Sequence, residues 1–190
     1  MKRLTLLPIL FLFAILQNCT LPGVNSSDED LATLLTLIQV QSNSSQYTRW
    51  QSFPMTISAT TTAPTKATSP DIDQAFWRRA GDSMEITYTY KHTNNTGATS
   101  GTGDYLFQIP DGYTIDSSRV VIDTFQETGA VGSASVFDDY VGSSKVYTTT
   151  ALALFVRNGV AGGFVTGGSI GDLTGATVAI TFNARVPITG

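Results

Sequence analysis

This 190-residue sequence has little of what most catalytic and metal sites are built from, because it contains a single cysteine, Cys19, and a single histidine, His92. One cysteine cannot form a disulfide within the chain. No histidine-based zinc motif, nucleophile-elbow serine or phosphate-binding glycine loop is present in the sequence. These absences predict a protein that is not an enzyme and that uses no cofactor and no metal.

Basic residues are also scarce. The chain has 11 lysines and arginines against 15 aspartates and glutamates, which gives a net charge of −4. No basic stripe interrupts this dispersed acidic charge, so the sequence argues against a nucleic-acid surface and against electrostatic attraction to anionic lipid.

The remaining candidates for catalysis or metal binding are His92, two glutamates and five aspartates, and the sequence favours a structural or surface role for each. His92 follows a predicted strand just before an Asn-Asn-Thr-Gly turn, which favours an exposed surface residue. Glu85 and Glu127 could form a glycosidase pair, but no pattern places them together. Five aspartates fall in predicted loops without the spacing of an EF-hand, which favours solvated turn residues over calcium ligands; they are Asp104, Asp111, Asp138, Asp139 and Asp172.

The N-terminus has the pattern of a secretory signal. Lys2 and Arg3 precede an apolar run over residues 4–16, and the run ends just before Cys19. Thirteen residues in a helix reach only about 20 Å, which is shorter than the hydrocarbon core of a bilayer. We therefore predict a cleaved signal peptide over residues 1–18 rather than a membrane span.

Residues 16–19, Leu-Gln-Asn-Cys, resemble a bacterial lipobox in the relaxed form found in spirochaete lipoproteins. The resemblance implies that Cys19 is lipidated by several acyl chains and becomes the first mature residue, anchoring the protein in a membrane. Thr20 after the cysteine favours the outer membrane. Cleavage would remove two basic residues and change the net charge from −4 to −6. The alternative is an ordinary cleaved signal with Cys19 as an incidental residue.

Residues 19–48 form a predicted lipidated tether with one short amphipathic helix over residues 28–41. Acidic residues lie in its first turn, and its apolar face is formed by Leu31, Leu34, Leu35 and Ile38. Packing on the main domain and self-association both remain open for this face.

From residue 49 to residue 190 the pattern is that of β-structure. Met84, Ile86, Tyr88 and Tyr90 alternate with polar residues, and the run over residues 178–186 repeats this period of two. A first strand is predicted through Trp50, Phe53, Met55 and Ile57, and further strands over residues 105–110, 119–125, 131–137, 145–150 and 151–157, with the last the most buried. Fifteen of the 17 glycines lie at or after Gly97, between these runs. The predicted fold is an all-β, antiparallel β-sandwich or jelly roll of about eight strands.

Three segments, residues 76–86, 109–116 and 184–190, resemble a motif set of tail-fibre-like, receptor-binding β domains of phages and of related bacterial surface lipoproteins. The first contains Trp-Arg-Arg-x-Gly-Asp-x-Met-Glu. Physical roles for these segments are mainly structural: a hairpin turn at residues 81–82, cation–π cover of Trp77 by an arginine, a strand end at residues 110–112, and a turn capped by Asp116.

The anchor and the resemblance together predict a surface-exposed outer-membrane lipoprotein for adhesion or recognition of a glycan or another surface protein. Its candidate ligand-loop residues are Tyr113, Phe137 and Tyr140. Phage members of the family are often trimeric, which makes a homotrimer an expectation. The alternatives are a structural, periplasm-facing lipoprotein without a soluble ligand, and a lipid-anchored polysaccharide hydrolase.

Overall fold

Regular structure in this protein consists of β-strands. A computed structural model describes residues 47–122, 129–137, 139–159 and 161–189. Cys19, the predicted signal peptide and the predicted helix of residues 28–41 lie outside the described residues, as do Glu127 and Asp138. Among the residues described there is no helix that could span a membrane.

The strands pair antiparallel along one continuous path, with the order β1-β3-β4-β11-β7-β8-β9-β5-β2. Two short strands lie off this path, where β10 pairs with β9 and β6 pairs with β11. Their bounds are β1 Gln51–Phe53, β2 Ile57–Ala59, β3 Ile72–Ala80, β4 Ser83–His92, β5 Tyr105–Gln108, β6 Thr114–Ile115, β7 Ala130–Val136, β8 Tyr140–Thr148, β9 Ala151–Asn158, β10 Ala161–Phe164 and β11 Val178–Thr189.

The two ends of this path are joined by only three residues, 54–56, because β1 ends at Phe53 and β2 begins at Ile57. Four residue steps cover at most about 14 Å. Eight strand spacings in a flat sheet would separate β1 from β2 by about 38 Å. The sheet therefore curls back on itself into a half-barrel.

Three aromatic side chains occupy the inside of this curl. The ring of Phe107 in β5 lies 6.0 Å from that of Tyr88 in β4 and 5.2 Å from that of Phe182 in β11. In a flat sheet β4 and β5 would be about 24 Å apart, since five spacings separate them. The remaining core is aliphatic, with Ile86, Val136, Leu152, Leu154, Val156, Ile180 and Val186 all essentially inaccessible.

The predicted alternation is confirmed on the longest strands. In β4 the side chains of Met84, Ile86, Tyr88 and Tyr90 are buried, and those between them are more exposed. Strand β11 alternates in the same way and pairs with β4 from Val178–His92 to Pro187–Ser83. The first four residues of β9 are all buried, as predicted for this run.

The predicted turns are also confirmed. Gly81 and Asp82 form the two-residue loop between β3 and β4, and the φ of +64° at Gly81 explains why glycine stands there. Gly112, with a φ of +86°, turns the chain after β5. The carboxylate of Asp116 accepts hydrogen bonds from the N–H and hydroxyl of Ser118 at 3.0 and 2.6 Å, which closes the turn before Arg119.

Two strand predictions differ from the structure. The predicted first strand is divided at Pro54, which has no N–H to donate, and its halves pair with β3 and with β5. The prediction over residues 119–125 is wrong in its described part, where Ile122 makes only an isolated bridge to Val146. Val121 and Ile122 are exposed, so this run has no face buried in the core. The predicted all-β, antiparallel class is confirmed. The described strands belong to one hydrogen-bonded sheet, so the predicted sandwich of two sheets is not confirmed.

His92 is buried, contrary to the surface position predicted for it. Its Nδ1 lies 2.9 Å from the hydroxyl of Tyr90, and its Nε2 lies 2.9 Å from the carbonyl oxygen of Gly175. The Tyr90 hydroxyl also accepts a hydrogen bond from the N–H of Ala67 at 3.0 Å. The alternation of β4 continues to His92, so its side chain points inward, where it contacts the loop at Gly175 directly and the loop at Ala67 through the Tyr90 hydroxyl.

Replacing Phe107 tests the aromatic packing inside the curl. We expect Phe107→Ala to lower the free energy of unfolding by about 3 to 5 kcal/mol, because it leaves a cavity against Tyr88 and Phe182. Phe76→Ala is the matched control, because Phe76 lies on the opposite face of the sheet and is 39% exposed. It should cost about 1 kcal/mol or less. Equal urea-unfolding midpoints for the two variants would contradict the packing described.

Burial raises the pKa of the Tyr88, Tyr90 and Tyr105 hydroxyls above the ordinary tyrosine value. The folded protein favours the neutral hydroxyl, so this contribution to stability is complete below about pH 10 and decreases above it. We expect part of the tyrosinate absorbance at high pH to appear only together with loss of the β-sheet circular dichroism signal. Complete tyrosine ionisation with an unchanged signal would count against these burials.

Candidate functional site

The outer face of the curled sheet carries the side chains that alternate with the core. Across β3, β4 and β11 the strand register places Arg78 opposite Glu85, and Glu85 opposite Arg185. Two residues further along, Thr87 lies opposite Asn183. These side chains form rows that run across the strands and face solvent.

An aromatic and arginine cluster lies at one edge of this face. The guanidinium carbon of Arg78 lies 4.8 Å from the ring centroid of Trp50 and 5.0 Å from that of Tyr47. Trp50 is 44% exposed and Tyr47 is 50% exposed. We name Tyr47, Trp50 and Arg78 the Trp50 platform. It presents aromatic surface whose orientation is fixed by cation–π contact.

The sequence predicts an arginine contact with Trp77, whereas the cation–π contacts of Arg78 are with Trp50 and Tyr47. Successive residues of a strand point to opposite faces, so Arg78 is outside where Trp77 is inside. Trp77 is buried, and its ring packs on that of Tyr113 at 4.9 Å. The cation–π contact therefore belongs to Trp50.

Glu85 holds the platform in place. Its carboxylate accepts a hydrogen bond from the Nε of Arg78 at 2.6 Å and lies 4.0 Å from the Nη1 of Arg185. These charges are partly exposed, so the Arg78–Glu85 pair contributes about 1 kcal/mol or less to stability. Its larger effect is geometric, since it fixes the guanidinium over the indole. The prediction that Glu85 points outward is confirmed.

A groove crosses the outer face from the Trp50 platform to β9. It consists of three adjoining depressions of about 280, 440 and 430 Å³. Thr87 and Asn183 line both the first and the second, and Val141 and Gly142 line both the second and the third. We name this surface the outer groove. Its middle is lined mainly by small polar side chains, those of Thr87, Thr89, Ser133, Ser135, Thr181 and Asn183.

The polar side chains of the groove are held in place across the strands. Asn183 accepts a hydrogen bond from the N–H of Ser133 at 3.2 Å and donates one to its hydroxyl at 2.7 Å. At Gly142 an added Cβ would lie 2.0 Å from the carbonyl oxygen of Phe155, so only glycine fits where β8 and β9 approach. The groove can therefore present fixed hydroxyl and amide groups to a ligand.

Comparison with known proteins gives one loose structural likeness. No protein-family model matches the chain, and no curated protein matches it. The crystal structure of the Dettilon tailspike protein is similar over 74% of this chain, with a TM-score of 0.44 and 15% sequence identity. This chain covers 24% of the tailspike chain. A likeness at this TM-score and identity carries no argument about the fold or the function of this chain.

The three predicted ligand-loop residues fall in two places: Phe137 and Tyr140 flank the connection between β7 and β8, and Tyr113 precedes β6 near the opposite end of β11. Tyr113 packs against Trp77 on the inside of the curl. Tyr140 begins β8 opposite the buried Val136 and packs against the core. Phe137 has a φ of +56°, a strained conformation for a residue other than glycine, and lines a fourth depression beside the outer groove. The structure therefore places Tyr113 away from the other two.

Sequence reasoning missed Trp50, Arg78, Arg185 and Asn183 as site residues. The sequence placed Trp50 on the apolar side of a strand, and it predicted that an arginine would cover Trp77. The signal that could have identified outward residues is the alternation of apolar and polar positions, because the polar positions of β4 and β11 mark the outward face. Which strands lie beside them on that face depends on long-range pairing.

One of the aspartates weighed as calcium ligands, Asp172, has a loop-forming role. Asp172 accepts hydrogen bonds from the Ser100 hydroxyl at 3.0 Å and from the N–H groups of Gly168 and Thr174, both at 2.9 Å. Burial alone would raise the pKa of Asp172, but these hydrogen bonds outweigh it and lower the pKa. Among the described residues no group of three His, Cys, Asp or Glu side chains could hold a metal ion.

Arg78→Ala tests the Trp50 platform. Removing the guanidinium exposes one face of the indole, so acrylamide should quench the fluorescence of Trp50 faster, while the buried Trp77 stays protected. Arg119→Ala is the control, because Arg119 makes a similarly short ion pair, 2.6 Å to Asp82, on an exposed loop. Equal quenching of both variants would show that Arg78 does not cover Trp50 in solution.

Proposed function

We propose that this protein is a lipid-anchored outer-membrane protein that presents its β domain at the cell surface for adhesion or recognition, binding its ligand in the outer groove. The signal-like residues 1–18 and the lipobox-like residues 16–19 support the anchor. The observation that carries the recognition role is the exposed Trp50 platform at the end of a groove lined with small polar side chains.

The platform has the physical character of a binding surface. A large aromatic side chain left 44% exposed loses part of the free energy that burial would supply, and aromatic residues are enriched where proteins bind partners. Arg78 and Glu85 hold the ring before a ligand arrives, which reduces the conformational entropy lost on binding. Hydroxyl and amide groups in the groove suit a ligand rich in hydroxyls and amides, such as a glycan or a surface protein.

The two alternatives receive less support. A periplasm-facing structural lipoprotein without a soluble ligand gives no role to an exposed, preoriented indole. A glycoside hydrolase of the usual kind uses two carboxylates at the bond it cleaves. In the described part of the outer groove Glu85 is the carboxylate that lines it, and it is paired with Arg78. A homotrimer through the apolar stripe of residues 31–38 stays a prediction, because the stripe lies outside the described residues.

Proteinase accessibility tests the location. Proteinase added to intact cells should cleave the native protein, and Cys19→Ala should release the protein to the soluble fraction. Detergent-lysed cells serve as the control for cleavability. Protection of the native protein until lysis would overturn surface exposure and favour the periplasm-facing alternative.

Trp50 variants test the binding surface. The full chain in detergent micelles is applied to a glycan array and to a panel of matrix proteins. On whichever probe binds, Trp50→Ala should weaken binding about tenfold or more, as expected for a tryptophan that carries much of the binding energy. Trp50→Phe keeps an aromatic face and should retain part of the affinity. An array and a panel that both stay blank at high protein concentration would overturn the proposed function.

A further inference from the structure

A second group of aromatic rings lies at the end of the outer groove opposite the Trp50 platform. Phe155 in β9 lines the third depression, and its ring packs edge to face on that of Phe164 in β10, with the centroids 5.4 Å apart. The Nζ of the buried Lys145 lies 5.6 Å from the centroid of Phe155 and 6.0 Å from that of Phe164. We name Phe155, Phe164 and Lys145 the Phe155 platform. A cation holds the rings at this end of the groove, as Arg78 does at the other.

The surface between the two platforms carries no charge in its middle. The described residues that line the middle depression have small polar side chains, with Val141 beside them, and none of them is charged. The charged groups lie toward the ends, where Glu85 accepts a hydrogen bond from Arg78 at 2.6 Å and lies 4.0 Å from Arg185. Arg157 also interacts within the chain. A ligand that fills the groove therefore meets hydroxyl and amide groups along most of its length.

The polar side chains of the groove recur once per strand. Residues that pair or hydrogen-bond on successive strands form a row from β4 to β9, consisting of Thr87, Asn183, Ser133, Ser143 and Phe155. Neighbours in this row are one strand spacing apart, about 4.8 Å. Five spacings separate β3, which carries the Trp50 platform, from β9, so the groove is about 24 Å long. One hexose unit of an extended chain is close to one strand spacing in length, so the groove accommodates about five units.

We propose that the outer groove binds an uncharged, extended oligosaccharide that spans both platforms, with a sugar ring stacked at each end and the hydroxyl groups between them bonded to the polar row. This inference rests on the proposed function and names its ligand class. Serine and threonine hydroxyls and the asparagine amide both donate and accept hydrogen bonds, as sugar hydroxyls do. The C–H faces of the two end sugars are apolar, so their burial against the aromatic rings is favourable.

The groove suits a sugar chain better than an extended peptide. A peptide binds to a sheet by adding a strand at an edge, whereas the outer groove crosses central strands whose backbone groups are already bonded to their neighbours. Side chains on one side of an extended peptide recur at about 6.8 Å, which does not match the spacing of the row. The uncharged middle, as far as its residues are described, also disfavours a polyanion, because a polyanion binds where many neighbouring charges are neutralised.

The length of the sugar chain tests this site. The full chain in detergent micelles is titrated by calorimetry with the disaccharide and the hexasaccharide of the neutral cello-, malto-, manno- and N-acetylated chito-oligosaccharide series. For a series that binds, the hexasaccharide should bind at least about tenfold more tightly than the disaccharide, because only the longer chain reaches both platforms. Its affinity should not change with salt, since no charge is neutralised. The acidic hexasaccharide of galacturonate should bind no more tightly than the neutral one.

Variants of Phe155 locate the second end of the site. Phe155→Ala should weaken hexasaccharide binding about tenfold and leave disaccharide binding at Trp50 unchanged, as followed by the fluorescence of Trp50. Phe155→Leu keeps apolar volume beside Phe164 without an aromatic face, and it should weaken hexasaccharide binding in the same direction. Val121→Ala is the control, because it shortens an exposed apolar side chain that does not line the groove. Circular dichroism shows whether the sheet of each variant is intact.

The outcomes separate this inference from the proposed function. Equal affinities for disaccharide and hexasaccharide, or a hexasaccharide affinity that Phe155→Ala leaves unchanged, would overturn the inference, while binding that depends on Trp50 would leave the recognition role standing. Tighter binding of the galacturonate chain would remove the uncharged ligand class. Failure of every neutral hexasaccharide would also overturn the inference, and binding to a matrix protein would then preserve the proposed function. A protein that binds no probe and is protected on intact cells would overturn both.

Discussion

The three-residue connection between β1 and β2 is the constraint on which the rest of the structure depends. It joins the two ends of a nine-strand path, so the sheet cannot lie flat. Once the sheet curls, one face of every long strand is enclosed, and Tyr88, Phe107 and Phe182 meet although their strands are distant in the path. On β3, β4 and β11 the same curl leaves most of the alternate side chains at the solvent side of the sheet. Core and candidate site are therefore two consequences of one geometric requirement.

The hairpin of β3 and β4 shows how closely these two faces are coupled. Trp77 and Arg78 are neighbours in the chain, yet Trp77 packs on Tyr113 inside, and Arg78 stacks on Trp50 outside. The turn at residues 81–82 sets the register, and that register places Glu85 opposite both Arg78 and Arg185. A shift of one residue would exchange the faces and lose the core and the platform together. The Trp-Arg-Arg segment thus has a structural role on one face and a candidate binding role on the other.

Local pattern predicted much of the fold and little of the site. The alternation of apolar and polar residues predicted which side chains of β4 and β11 face the core, and the Gly-Asp pair predicted the hairpin turn. Both features depend on residues that are close together in the sequence. The position of His92 was missed because its partner, the Gly175 carbonyl, is 83 residues away. Trp50 was missed for a related reason, since a short edge strand beside a proline does not show from sequence which face it presents. Sites formed by rows across strands depend on sheet order, which the sequence alone left open.

The positions of the charged residues also depend on the fold rather than on local sequence. In sequence the charges are dispersed and no basic stripe is visible, yet folding separates them by role. The Asp116 and Asp172 carboxylates accept hydrogen bonds from neighbouring backbone N–H groups, so these acidic residues close the turns between strands. The basic residues Lys91, Arg157 and Arg185 occupy exposed, outward positions in the strands. Folding therefore separates these acidic residues of the turns from the basic residues of the outward sheet face. The net charge of the whole chain is therefore a poor guide to the ligand that this face would attract.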